Sequence, residues 1–183
     1  LRALDGSYPH SIKAPQSNAY GMHLLSRLEL AESQVRFLVE EEVPYIRTEV
    51  SLRSSRRIVF YGIHPRPPEP RQDTEERDAE LLIVGREVKE SGRPAIVAGD
   101  LNDVAWSNTT RLFQRISGML DPRRGRGMFS TFHADYPLFR WPLDHVFHDA
   151  SFTLARLQRL RSIGSDHFPL LVELKYEPRG AAE

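Results

Sequence analysis

The sequence predicts a layered α/β fold of the α+β type, with largely antiparallel or mixed sheets. Short runs rich in apolar and β-branched residues, separated by polar or turn-forming breaks, are typical of strands and occupy most of the chain. Two segments carry helix signals, and a single strand-like run lies between them. The resulting order of strands, helix, strand, helix and strands favours layered sheets over a doubly wound parallel sheet.

Four strand-like runs open the chain and predict a meander of adjacent antiparallel strands. They are YGMHLLSR at 20–27, QVRFLVE at 34–40, YIRTEVSL at 45–52 and RRIVFYGIH at 56–64. The proline cluster HPRPPEP at 64–70 follows. Because proline has a fixed φ and no N–H to donate, we expect an extended loop there.

Two helices are predicted in the middle of the chain. The segment 73–91 has acidic residues in its first turns, an apolar face that includes Leu81, and Gly92 at its end. A second helix is expected to begin after Ser107 as its N-cap and to end at Gly118. The remaining strand candidates are PAIVAGDLN at 94–102, GMFSTFHA at 127–134, PLDHVFHD at 142–149, FTLARLQRL at 152–160 and FPLLVELKY at 168–176.

Composition excludes several classes of function. The chain has 183 residues, 40% of them hydrophobic, which is enough for one domain with a real core. Lys plus Arg and Asp plus Glu both total 25, so a polyanionic partner would have to meet a local patch. There is no cysteine, which excludes disulfides, thiolate ligands and cysteine nucleophiles. No apolar run approaches membrane-spanning length and no signal-like segment follows Leu1, so we expect this chain to make no membrane contact.

Polar and charged residues collect where the predicted strands end. Each lies against apolar neighbours, where burial without a partner would cost several kcal/mol, so the set predicts one shared site. Asp100 could instead be a turn or cap residue, and Asp144 with His145 could be a local ion pair. His145 should face away from Asp144 if the segment is a strand, and Asp144 is then a candidate partner for His167. The residues of the set are His64, Asp100, Asn102, Asp144, His145, Asp166 and His167.

The motifs GDLND, PLDHVF and GSDHFP, in this order and preceded by YGIHP, resemble those of the deoxyribonuclease I-like endonuclease/exonuclease/phosphatase superfamily. Its members are metal-dependent phosphoesterases, and the resemblance implies a layered β-sandwich with helices on its outer faces. ERDAEL, VAWS, DPRRGRG and RWPLDHVF further resemble uncharacterised bacterial members. Some of these carry membrane segments ahead of the catalytic domain, so the resemblance allows a membrane-anchored parent protein with a soluble domain.

The resemblance implies a role for each site residue. Asp100 would deprotonate the attacking water, and Asn102 would orient that water or the phosphate. His167, held in register by Asp144, would contact the scissile phosphate and stabilise the charge that grows on it. The remaining roles are His64 as a second phosphate contact, Tyr61 as a weaker candidate for that task, Arg140 as a substrate contact beside Phe139 and Trp141, and Asp166 at or next to a divalent metal.

Oxygen ligands without thiols favour Mg²⁺, with Mn²⁺ as a substitute. The superfamily's first-strand Asn and second-strand metal-binding Glu have no counterpart after Leu1, and Asp5 is a poor replacement. We therefore expect residues 1–176 to be a partial domain lacking its N-terminal third, with a flexible tail at 177–183. Low activity in isolation and self-association through exposed sheet edges are the expected consequences.

Three classes of function remain open from the sequence. A metal-dependent phosphoesterase is the first, and its substrate could be a nucleic acid, a lipid or inositol phosphate, or a small phosphodiester. Arginines in DPRRGRG and RLQRLR would suit a polyanion, although solvated surface charges are the simpler interpretation. A non-catalytic phosphate-binding or scaffold domain is the second class. A serine hydrolase built on Ser165 and His167 is a distant third, since no nucleophile elbow surrounds Ser165.

Overall fold

The structure, a computed structural model, describes residues 6–67 and 74–178. Within these residues it contains nine strands and two helices. The strands are β1 His10–Ala14, β2 Met22–Ser26, β3 Leu30–Phe37, β4 Pro44–Ser51, β5 Arg57–Gly62, β6 Ala95–Asp100, β7 Asp144–His148, β8 Phe152–Arg159 and β9 Leu170–Tyr176. The helices are α1 Glu75–Ser91, between β5 and β6, and α2 Asn108–Ser117, between β6 and β7.

A five-stranded sheet in the order β3-β4-β5-β6-β7 forms the centre of the fold. Its neighbours are antiparallel except β5 and β6, which are parallel and joined by α1. A parallel pair needs such a crossover, because the chain must return to the same end of the sheet. Two hairpins, β1-β2 and β8-β9, form separate two-stranded sheets.

One face of the central sheet is buried against the two helices. Alternate residues of its strands, such as Tyr61, Val97 and Phe147, form one core with Val84 of α1 and Phe113 of α2. The Phe113 and Phe147 ring centroids are 4.9 Å apart. Both helices therefore cover the same face of this sheet.

The opposite face of the sheet looks toward the two hairpins. Phe60 of β5 and Ile96 of β6 line an apolar groove of about 430 Å³ together with Leu24 of β2, Val172 and Leu174 of β9. The molecule is thus layered as helices, central sheet and hairpins. This confirms the predicted α+β class with mixed sheets and agrees with a layered sandwich.

The predicted caps of the second helix are confirmed. The Ser107 hydroxyl accepts a hydrogen bond from Thr110 N at 2.9 Å, which satisfies an otherwise free donor of the first turn. Gly118 has a φ of 73°, and its N–H donates to Gln114 O at 2.9 Å. The helix bounds follow from these local signals.

One predicted strand pairing and one predicted strand were wrong. The run at 20–27 contains β2, but it pairs with β1, which was not predicted, instead of joining the meander of β3, β4 and β5. Residues 127–134 form no strand and contribute only isolated bridges at Phe132. Short runs do not encode a pairing partner, because pairing depends on which apolar faces meet.

Part of the predicted loop and tail lies outside the described residues. Residues 64–67 have no helix or strand, as expected for the start of the proline cluster, and 68–70 are not described. Of the predicted tail, 177 and 178 are irregular and 179–183 are not described. Neither α1 nor α2, the helices of the described part, has the length and hydropathy of a membrane span.

Candidate active site

Strands β5, β6 and β7 bring three predicted site residues to one edge of the central sheet. Asp100 ends β6 and is the register partner of Asp144, which begins β7. His64 follows the parallel strand β5, whose extension is fixed by the hydrogen bond from Ile63 N to Ala98 O at 3.1 Å. Residues far apart in the chain therefore meet because their strands are neighbours.

His167 completes this cluster from the loop before β9. Its Nδ1 lies 2.7 Å from Asp144 Oδ2, and its Nε2 lies 3.6 Å from Asp100 Oδ2. His64 Nε2 lies 3.8 Å from the same oxygen of Asp100. The phenyl ring of Phe132 packs against the His167 ring, with centroids 4.9 Å apart. Asp100 is thus flanked by two imidazoles, one of which is oriented by a second carboxylate.

The surroundings push the two carboxyl groups in opposite directions. Burial raises the pKa of Asp100 and the nearby Asp144 charge adds to this, although the Asn102 N–H and the two imidazoles oppose it. Burial also disfavours the charged form of Asp144, but the His167 hydrogen bond and charge contribute to an overall lowering of its pKa. Asp100 is therefore the better proton acceptor, and Asp144 stays ionised as a fixed partner.

His167 is held toward its protonated form. The hydrogen bond to Asp144 raises its pKa most, burial opposes that, and the charges of Asp144, Asp100 and Asp166 add to the rise. The His167 side chain is only partly buried, so its protonated imidazole can donate a hydrogen bond to an anion that approaches from solvent. The arrangement places a base and a cationic donor side by side.

Asn102 occupies a constrained turn directly after β6. Its φ is 48°, a left-handed conformation that asparagine tolerates better than most residues. Its backbone N–H donates to Asp100 Oδ1, and its Nδ2 donates to Pro65 O, both at 2.9 Å. One Nδ2 hydrogen is used for the Pro65 loop, so the amide still offers its second N–H as a donor and Oδ1 as an acceptor.

The structure does not bring Tyr61 to the site, which corrects the expectation of a phosphate contact. Its side chain is 0% exposed and belongs to the core against the helices. Tyr61 and His64 differ by three positions, so the strand alternation that points one residue outward turns the other inward. No described residue hydrogen-bonds its hydroxyl.

Arg140 and Asp166 lie near the cluster without joining it. Arg140 Nη2 donates to Ala134 O at 3.0 Å, and its guanidinium lies 4.9 Å from the centre of the Phe168 ring. Asp166 is exposed and accepts a hydrogen bond from Ser165 Oγ at 3.3 Å. Both residues are therefore placed to shape the loop that carries His167, and their contacts with substrate or metal stay predictions.

The described residues do not form a complete metal site. Within 6–67 and 74–178, no group of three or more His, Asp or Glu side chains has the spacing of metal ligands. The Asp144 carboxylate is hydrogen-bonded to the His167 ring. The Asp166 side chain is exposed and accepts a hydrogen bond from Ser165.

Three bracing residues were missed by sequence reasoning. Arg77 of α1 donates from Nη1 to Asn102 O at 3.0 Å and fixes the turn after β6. Arg123 donates to Asp144 O at 3.2 Å, and the buried Thr131 hydroxyl accepts from Asp144 N at 3.3 Å. The segments ERDAEL and DPRRGRG contain these two arginines, so the motif likeness was the one available signal.

The side chains of His145 and Asp103 have structural roles. Burial lowers the pKa of His145 to about 3, so its ring is neutral and hydrogen-bonds Asp103 O through Nε2 at 2.9 Å. It faces away from Asp144, as the strand alternation predicted. The Asp103 carboxylate accepts hydrogen bonds from Val104 N, at 2.9 Å, and from Thr110 Oγ1, at 3.1 Å, next to the start of α2.

Gly99 permits the close approach of β6 to the end of β5. An added Cβ would lie 1.8 Å from Ile63 O, a backbone atom that cannot swing aside. We expect Gly99→Ala to destabilise the protein by about 1–3 kcal/mol, because the backbone next to Asp100 must move. Thermal unfolding measures this, with Gly6→Ala as control since its Cβ would meet nothing within 4 Å. An unchanged midpoint for Gly99→Ala would contradict the close packing.

Solved structures share this fold at low sequence identity. A Beutenbergia cavernae endonuclease/exonuclease/phosphatase aligns with a TM-score of 0.77 at 17% identity, covering 96% of this chain and 56% of that one. D. rerio TDP2 complexed with a single-strand DNA product gives 0.76 at 17%, covering 96% and 80%. A Bacteroides thetaiotaomicron mannosyl-6-phosphatase gives 0.66 at 20%, covering 96% and 81%. At these identities the likeness establishes the fold.

Sequence comparison identifies the family. No curated protein sequence gives a significant match. The model of the endonuclease/exonuclease/phosphatase family matches residues 1–167, a range that includes every residue of the cluster around Asp100. This match covers most of the chain and agrees with the fold and with the order of its motifs. The chain belongs to the endonuclease/exonuclease/phosphatase family.

Proposed function

We propose that this chain carries the catalytic cluster of a phosphoester hydrolase that cleaves phosphodiesters by water attack. The observation that supports it is the line of side chains from Asp144 through His167 to Asp100, at 2.7 Å and 3.6 Å. A phosphodiester resists attack because its own charge repels the nucleophile. Hydrolysis therefore needs a proton acceptor for the water and positive charge for the phosphoryl oxygens, and this cluster offers both.

Asp100 is the proposed general base. A water beside Oδ2 gives up a proton to the carboxylate as its oxygen attacks phosphorus. The bond between phosphorus and the leaving oxygen breaks, and the leaving oxygen takes up a proton from solvent. The raised pKa of Asp100 strengthens its carboxylate as a proton acceptor. Its Oδ1 is already fixed by the Asn102 N–H, so Oδ2 faces the two imidazoles and the reacting groups.

His167 is the proposed donor to the phosphoryl oxygens. Asp144 accepts from Nδ1–H and leaves Nε2–H directed toward the Asp100 side of the cluster. His64, on the other side of Asp100, is the proposed second phosphate contact. A phosphate between them would meet donors from two directions, while the negative charge of Asp100 discourages its binding unless further positive charge is present.

Divalent metals are common among members of this family. For this protein we propose Mg²⁺, with Mn²⁺ as a substitute, to supply the additional positive charge at the phosphoryl group. Asn102 Oδ1 and the exposed Asp166 carboxylate are the oxygen donors proposed to hold the ion. They would act with ligands beyond the described cluster, since that cluster has no complete metal site.

Two other functions compete with hydrolysis of a phosphodiester. A phosphatase acting on a lipid or inositol phosphate would use the same cluster, and the structural neighbours include proteins described as a phosphatase and as a complex with DNA product. A non-catalytic phosphate-binding or scaffold domain needs only the imidazoles. A serine hydrolase is disfavoured, because Ser165 Oγ is hydrogen-bonded with Asp166 and His167 N while the His167 ring pairs with Asp144.

Metal removal tests the proposal. The longest natural form of the protein that contains this chain is assayed with bis-p-nitrophenyl phosphate and with p-nitrophenyl phosphate, in Mg²⁺ and in EDTA. We expect the diester to be preferred and EDTA to lower its hydrolysis at least tenfold, with recovery on adding Mg²⁺ or Mn²⁺. Hydrolysis that ignores EDTA would contradict metal dependence, and preference for the monoester would favour the phosphatase alternative.

A further inference from the structure

A second concave site lies next to the catalytic cluster and is not used by the proposed reaction. It is a cavity of about 680 Å³ that runs along α2, between this helix and the loop 121–128. Ala105 and Trp106, which follow the GDLND motif, form part of its wall, and so does Pro142, which precedes Asp144. We call it the arginine cavity after the residues described next.

Three arginines without acidic partners line the arginine cavity. They are Arg111 and Arg115 of α2 and Arg124 of the loop. In the part of the chain that the structure describes, none of them forms an ion pair with an acid. The one acid of the lining, Asp121, is neutralised by Arg123, whose Nη2 lies 2.8 Å from its Oδ2. The cavity therefore has an excess of positive charge and suits an anion.

Large apolar side chains lie beside these arginines and remain open to solvent. Trp106 is 42% exposed and Met128 is 53% exposed. An indole face next to guanidinium groups is the combination that binds a flat ring attached to a phosphate, because the ring stacks while the cations hold the anion. If the three arginines were only solvated surface charges, the exposed apolar side chains of Trp106 and Met128 beside them would have no explanation.

The arginine cavity adjoins the start of β7. Arg123 donates to Pro142 O at 3.4 Å and to Asp144 O at 3.2 Å, and so ties the cavity wall to the start of β7. Consecutive Cα atoms are about 3.8 Å apart, so the Cα atoms of Pro142 and Asp144 are separated by at most about 8 Å. The arginine cavity therefore lies beside the segment that carries Asp144 into the catalytic cluster.

We propose that the arginine cavity binds a nucleoside phosphate unit, with its phosphate between Arg111 and Arg124 and its base against Trp106. The unit is either a free nucleotide or the nucleotide next to the phosphodiester at Asp100. Only this second placement rests on the proposed hydrolase function, and the binding itself does not. Arg115 adds charge to the rim and also opposes the negative end of the α2 dipole.

Trp106 fluorescence tests the proposal without any turnover. The chain has two tryptophans, so Trp141→Phe leaves Trp106 as the single reporter. Thymidine 5′-monophosphate is titrated into this protein in EDTA, and saturable quenching is expected. The double variant R111Q/R124Q should raise Kd at least tenfold, since two cations that hold the phosphate are removed.

The matched control is R53Q/R86Q, which removes the same charge from two exposed positions outside the cavity. Its Kd should stay within about twofold of the parent protein. An equal loss in both double variants, or quenching that R111Q/R124Q leaves unchanged, would overturn the proposal. Absence of saturable quenching would overturn it as well.

A four-residue oligothymidylate separates the two sources of the nucleotide. At least tenfold tighter binding than the mononucleotide assigns the cavity to a nucleic acid strand, and equal binding assigns it to a free nucleotide. Asp100→Asn is outside the cavity and should leave mononucleotide binding unchanged. If that variant kept full hydrolysis while R111Q/R124Q lost binding, the hydrolase mechanism would fail and the arginine cavity would stand.

Discussion

Replacing Asp100 by Asn is expected to lower kcat for phosphodiester hydrolysis by about 10²–10⁴-fold, the usual contribution of a positioned general base. Asparagine has nearly the same shape and its Oδ1 can still accept from the Asn102 N–H. It cannot take a proton from water, so the loss should fall on the chemical step. Initial rates with bis-p-nitrophenyl phosphate at saturating substrate measure it.

The same variant should be at least as stable as the parent protein. The pKa of Asp100 is raised, mainly by burial, so the ionised carboxylate disfavours the folded state once the pH exceeds its folded pKa. A neutral amide removes this cost, and thermal unfolding at pH 7 should show an unchanged or higher midpoint. Loss of activity without loss of stability separates a catalytic role from a structural one.

Asp135→Asn is the matched control for this prediction. Its carboxylate is exposed, and its nearest imidazole, His133, is 4.0 Å away and outside the catalytic cluster. The control should keep full activity. Full activity in Asp100→Asn would contradict the proposed mechanism. An equal loss of kcat in both variants would indicate a general effect of charge.

Replacing His167 by Asn is expected to lower kcat by about 10²–10³-fold, as for the removal of one electrostatic donor to a developing oxyanion. We expect a smaller loss of kcat for Asp144→Asn, which keeps the imidazole and removes only the carboxylate that orients it. The hydrogen bond that His167 donates to Asp144 is the largest cause of the raised His167 pKa, so Asp144→Asn should lower that pKa.

The direction of the pH effect follows from the raised pKa of His167. Its protonated form is the proposed donor, so kcat should fall as the pH rises through the pKa of His167. Protonated His167 stabilises the folded state at pH values below its unfolded pKa of about 6.5. This stabilisation is lost as the pH rises through the higher pKa of His167 in the folded protein. In Asp144→Asn this basic limb should move to lower pH.

Two measurements check the His167 prediction. The pH dependence of kcat gives the position of the basic limb, and NMR titration of the imidazole protons gives the pKa directly, with His167→Asn identifying the signal. His133→Asn is the control, because that ring contacts Phe132 and Tyr136 and lies outside the catalytic cluster. A basic limb that does not move in Asp144→Asn would contradict the role given to Asp144.

Local signals were sufficient for the helices and most strands. Acids in the first turn and Gly92 at the end predicted α1, and the Ser107 cap with Gly118 predicted α2 within one residue. These signals work because capping and glycine conformation are decided by a few neighbouring residues. The hairpin partner of β2 was missed, since the pairing of two short strands depends on a surface formed elsewhere in the fold.

Motif order identified the residues of the cluster but could not decide how each side chain points. Tyr61 and His64 stand three positions apart in one strand region, and only the packing of α1 against the sheet showed that Tyr61 belongs to the core. Arg77 and Arg123 brace the site through backbone carbonyls. Any long basic residue could do that from many positions, so no spacing rule predicts them.

The sequence by itself determined the chemical types at the site: carboxylates, an amide and imidazoles at strand ends, and no thiol. Such types are set by composition and by the short apolar runs that precede them. Only the tertiary structure decided that His167 lies between Asp144 and Asp100, because their distances depend on the neighbourhood of β6 and β7 and on a loop 23 residues beyond Asp144. Only it revealed the arginine cavity, since a concave surface exists when α2 and the loop 121–128 are packed side by side.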